Sequence, residues 1–94
     1  MMPTKILSIV DVYTLRLLES GVTAKRIDVR KSFAQLNTPE TLAHALYLCE
    51  NIRSFVHDTK KVGKSGRHLA SIQMCLSFAG WYSLEEVMEH NRPD

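Results

Sequence analysis

Cysteine is nearly missing from these 94 residues, and the two present, Cys49 and Cys75, stand far apart without the paired spacing of a disulfide framework or a zinc knuckle. Free thiols of this kind fit a reducing cytoplasm. Long apolar runs are missing too. The longest segment without a charge, Leu69–Leu84, carries Gln73 and three serines, and it is shorter than the roughly 20 residues of a membrane helix. It is read as a core or interface segment, with no membrane role. The start, MMPTKILSIVDV, has a single lysine and an apolar stretch broken by Ser8 and Asp11, which is not the pattern of a signal peptide. No internal repeat, low-complexity tract or linker divides the chain, so a single domain over residues 1–94 is expected.

Groupings that carry catalysis or metal binding are also lacking. His44, His57, His68 and His90 form no i,i+4 pair and have no carboxylate companion of the metal-site kind. His44 with Cys49, and His68 with Cys75, are same-helix neighbours without the third, orienting group that an activated thiol needs. The expectation is a non-enzymatic protein without cofactor, metal or catalytic residue.

What is present is an uneven charge. The net charge is only +2, but Lys25, Arg26, Arg30 and Lys31 form one basic cluster and Lys60, Lys61, Lys64 and Arg67 a second, while Glu85, Glu86, Glu89 and Asp94 make the C-terminus acidic. Such poles can meet phosphate, a partner protein or a second copy of the chain.

The apolar pattern predicts an all-α domain built on an antiparallel helical hairpin, about 39–60 and 66–80, followed by a short helix, Leu84–His90. Thr38 is the expected N-cap of the first arm, with Pro39 at the first helical position and Glu40 facing the positive end of the dipole. The stripes Leu42-Leu46-Cys49-Val56 and Ala45-Leu48-Ile52-Phe55 make this arm apolar over a width suited to two neighbours, one of them open to a second chain. The second arm places Leu69, Ile72, Leu76 and Ala79 at helical spacing. In WYSLEEVMEHN, Ser83 and Glu86 form a capping box. The N-terminal third predicts helices over Asp11–Ser20, closed by Gly21, and from Thr23 to before Asn37. Because Tyr13–Leu17 and Arg26–Arg30 also alternate with period two, an α+β arrangement with a β-hairpin turning at residues 19–21 is the alternative.

The run KKVGKSGRH, residues 60–68, contains Gly-Lys-Ser, yet position 58 is Asp where a phosphate loop needs glycine, and a helix precedes it where that loop needs a strand. It is read as a basic turn between the hairpin arms. Its cations Lys60, Lys61, Lys64 and Arg67 are a candidate contact patch for an acidic surface. Leu69, Ile72, Leu76, Phe78, Trp81 and Tyr82 are the candidate partner or oligomer interface, since Met74, Met88, Phe78 and Trp81 exceed what one short hairpin can cover.

Two resemblances give these features a function. LRLLESGVTAKRIDVRKSF resembles the DNA-binding helix-turn-helix motif: a helix end, Gly21 in the turn, Ile27 inside the next helix. This implies DNA contacts from Lys25, Arg26, Arg30 and Lys31. Leu17 departs from that pattern, which packs a small residue there. In size, hairpin and charge-free second arm, residues from Pro39 to His90 resemble the small helical antirepressors and anti-activators of phages and mobile elements. That resemblance implies a protein partner, a transcriptional repressor among the choices, and a homo-oligomeric regulator. It is the leading expectation, with DNA binding through residues 12–36 as the alternative.

Overall fold

The first helix begins at Pro3, whose fixed backbone and missing N–H suit a helix start. Helix α1, Pro3–Glu19, buries Ile6, Ile9, Val10, Tyr13 and Leu17, a stripe spaced by threes and fours. The sequence predicts this helix only from Asp11. The β-branched residues before it lower intrinsic helix preference, but burial of one continuous apolar face outweighs that. Gly21, at φ 77°, ends the helix. Its N–H bonds to the Leu18 carbonyl and the Val22 N–H to the Leu17 carbonyl, the two bonds of a Schellman motif.

The computed structural model describes residues 1–93, and among these the fold is all-α, with four α-helices and no strand. The β-hairpin alternative is therefore not what forms. The helix expected from Thr23 to before Asn37 is also absent: this segment runs extended, turns at Asp28–Lys31, and has only a short 3-10 turn at Phe33–Gln35. The reason lies in its pattern. Val22, Val29, Phe33 and Leu36 would face one side of a helix and Ile27 and Ala34 another, so no single stripe could be buried. Instead the Lys25 N–H bonds to the Ala43 carbonyl and the Ile27 N–H to His44 Nδ1, both at 3.1 Å, laying the segment along the next helix.

Helix α2, Thr38–Ile52, starts at the predicted cap residue, one position earlier than expected. Asn37 is the N-cap: its side chain accepts the Glu40 N–H at 2.8 Å, and Glu40 returns the bond to the Asn37 N–H at 3.2 Å. Its broad apolar surface meets two neighbours, α1 and helix α3, Val62–Phe78, both in the same chain. The predicted arm to residue 60 stops at Ile52. Phe55 and Val56 remain buried, but from a turn whose N–H groups reach back to the Ile52 carbonyl. Asp58 then caps the Lys60 N–H at 2.9 Å and opens a 3-10 turn, Thr59–Lys61. The corner of the α2–α3 pair is thus 53–61. KKVGKSGRH, read as that corner, forms mostly the start of α3, with Gly63 and Gly66 inside the helix.

Gly80, at φ 81°, ends α3 with the same pair of bonds that ends α1. Helix α4, Leu84–His90, opens with the predicted Ser83–Glu86 capping box. It has no fully buried residue of its own; Val87 packs against the core, and polar contacts add to its hold: the Tyr13 hydroxyl accepts from Gln73 at 3.2 Å and lies 2.7 Å from His90 Nδ1, and Gln73 exchanges two amide bonds with Asn91. Tyr82 packs against both Tyr13 and His90, and Arg16 donates to its hydroxyl.

Candidate functional site

Two surfaces stand out. The first is a cleft of about 530 Å³ between the extended segment, α2 and α3. The extended segment supplies Arg26, Lys31 and Phe33, α2 supplies His44, Tyr47 and Asn51, and α3 supplies Lys64, Arg67 and His68. Two basic clusters far apart in sequence therefore share one cavity, and no acidic side chain lines it. Of its four cations, Lys31 is paired with Glu40 at 3.2 Å, whereas Arg26, Lys64 and Arg67 have no carboxylate partner among the described residues. The Lys64 ammonium lies 4.4 Å from the centre of the Phe55 ring, a cation–π contact.

The extended backbone places Arg26 and Lys31 here; a helix over the same residues would have scattered them around its circumference. Lys25 and Arg30 lie outside the cleft, and Arg30 is tied to Asp28 by two bonds of 3.1 Å. Lys60 and Lys61 sit on the 3-10 turn before α3 and do not line it either. The second helix of the helix-turn-helix pattern is missing, so the four cations assigned to DNA have no recognition helix to ride on.

Phe33, His44 and Tyr47 line the cleft in a row that continues beyond it to Phe78. Phe33 lies 6.2 Å from His44 and 6.2 Å from Phe78, and His44 stacks on Tyr47 at 5.9 Å. His44 is kept neutral: burial lowers its pKa, and the nearby Arg26 and His68 lower it further. With Nδ1 accepting the Ile27 N–H, its proton sits on Nε2. His68 is lowered too, chiefly by burial, and packs edge-on to Phe55 at 4.8 Å. The aromatic row is absent from the sequence-based site. The spacing of His44, Tyr47 and Asn51 by three and four was the available signal, a polar strip beside the apolar stripes.

The second surface lies where α3 and α4 meet. Met74, Phe78, Leu84 and Met88 are each half or more exposed, and Met74, Ser77, Leu84 and Val87 line a groove of about 180 Å³. Glu85, Glu86 and Glu89 share the short α4 helix with Leu84 and Met88. Of the six residues predicted to meet a partner, only Phe78 is exposed, with one side of its ring toward Phe33. Leu69, Ile72, Leu76 and Tyr82 are buried in the core of the single chain, and Trp81 is half-buried against it. Their stripe faces α1 and α2, the hydrophobic neighbours already in the fold, so the interface assignment of those four is corrected.

Both cysteines are buried, and burial pushes each thiol up to about 11, far from a reactive thiolate. Among the described residues no three His, Cys, Asp or Glu side chains converge as a metal site would require, and no helix is long and apolar enough to cross a membrane. No protein-family model, curated protein or solved structure matches this chain.

Proposed function

We propose that the protein is a cytoplasmic, non-enzymatic regulator that acts by binding another protein, a transcription factor in the manner of an antirepressor. The observation that supports this reading is the α3–α4 face. Methionine and leucine side chains half or more exposed at and beside one groove, Met74 and Leu84 lining it and Met88 on the same short helix, suit an interface centre, and methionine adapts its shape to a partner at little cost. The glutamates of α4 beside it favour a partner with a basic rim, which is the charge that a DNA-binding surface carries. A regulator docked there would cover that surface and keep DNA away.

The test pairs the wild-type protein with a variant carrying both Leu84→Asp and Met88→Asp, two exposed positions that leave the core alone. From a lysate of the native host, the wild type is expected to retain one stoichiometric DNA-binding protein and to release it from its operator, while the variant does neither. Equal capture by both would remove the α3–α4 face from the reading. Light scattering on the same pair reports on self-association: a wild-type dimer that the variant turns monomeric would assign this face to a second copy.

A further inference from the structure

The basic cleft is on a different surface and asks for a different ligand. The geometry points to single-stranded nucleic acid, its phosphates on Arg26, Lys64 and Arg67 and an unpaired base against the ring row at Phe33 and Tyr47. Three features of the cleft select this chemistry. First, three of its cations have no internal carboxylate partner and no acidic residue lines the walls, so the cavity is an uncompensated positive site. Second, those cations are interleaved with aromatic rings at stacking distances, and the outermost, Phe33, is nearly half exposed. Cations alone would serve any anion; cations beside a partly exposed ring at the end of a stack, as Phe33 is, suit a strand whose bases are unstacked. Third, the lining includes His44, whose proton lies on Nε2 without added charge, and the side chain of Asn51, whose Nδ2 lies 3.4 Å from His68 Nε2 and whose amide oxygen is an acceptor of the kind that reads a base edge. A duplex hides its base faces and would leave the rings unused.

The cations outside the cleft extend the track. Lys60 and Lys61 immediately precede α3 and add positive charge to the helix end that carries Lys64 and Arg67. No α4 residue, and so none of its glutamates, lines the cleft.

Fluorescence anisotropy with labelled oligothymidylate, oligouridylate and a duplex of equal length tests this. Either single strand is expected to bind more tightly than the duplex. With three phosphate contacts, affinity should fall about 20-fold between about 50 and about 200 mM salt. Arg67→Ala and Arg26→Ala should each weaken binding and flatten that slope, and Phe33→Ala should weaken it about tenfold while leaving the slope unchanged, because it removes stacking and no charge. The Leu84→Asp, Met88→Asp variant should bind the strand as the wild type does, so loss of the partner-binding reading would not disturb this one. The inference is overturned if no single strand binds at low salt, if the duplex binds better, if Phe33→Ala has no effect, or if polyglutamate displaces the strand at equal charge concentration. The last result would assign the cleft to an acidic protein segment.

Discussion

The Tyr13 hydroxyl lies 2.7 Å from His90 Nδ1, so the first helix holds the last through one side-chain contact. Gln73 donates to that same hydroxyl, which leaves the phenolic proton for His90. Burial raises the Tyr13 pKa, keeping the phenol protonated and able to play that part. Since α4 has no fully buried residue, these bonds join the packing of Val87 and Tyr82 in fixing its position.

Replacing Tyr13 with Phe would keep the ring and remove the link. The expected cost is about 1–2 kcal/mol, because Gln73 is left with a buried amide proton unpaired. Thermal unfolding measures the loss, and amide exchange should show it concentrated in residues 84–91. Unchanged protection of α4 would mean that packing alone positions it.

Gly66 and Gly80 should respond in opposite directions to alanine. A Cβ at Gly66 meets nothing within 4 Å and the backbone there is helical, so Gly66→Ala should stabilise by up to about 1 kcal/mol. Gly80 has φ 81°, where a side chain clashes with its own backbone, and Gly80→Ala should cost about 1–2 kcal/mol. A loss at both positions would restore residues 63–66 to a turn.

Stability should fall as the pH drops from neutrality. His44 and His68 both have folded-state pKa values lowered, chiefly by burial. The unfolded chain, whose histidines titrate near about 6.5, therefore takes up protons first. The contribution of the neutral rings is complete above that value, declines as the pH falls through it, and is lost once the folded-state pKa is passed. Melting temperatures between about pH 7.5 and about pH 5.5 should show the decline, and His44→Gln should remove part of it. A flat profile, or a variant with the whole slope intact, would contradict this account.

Local signals were legible from the sequence where one residue type settled the matter. Gly21 and Gly80 end helices because only glycine relaxes at positive φ, and the Ser83–Glu86 box starts α4 as its spacing requires. Where competing terms were close, tertiary contacts decided. Nothing in residues 1–10 favours a helix strongly until the face it buries is known, and residues 62–66 are helical despite two glycines because Ser65 and Leu69 pack inward. The cleft was the least legible part. Its two halves are joined only when the segment after Gly21 lies extended along α2, a choice made by one histidine nitrogen and one carbonyl that no local pattern announces.

That extended segment has a consequence for how the cleft behaves over time. One backbone bond to α2, one bond to the His44 ring, the packing of Val22 and Ala24 on the core and the exposed Lys31–Glu40 pair tie it down, and no helix has to come apart for it to lift away. Its opening is thus a local equilibrium, with a free energy smaller than that of global unfolding. A ligand seated against Arg26 and Phe33 would share in that equilibrium, since it can be gripped only while the segment is down. Occupancy and local order would then rise together, and amide exchange confined to residues 22–37 would report both.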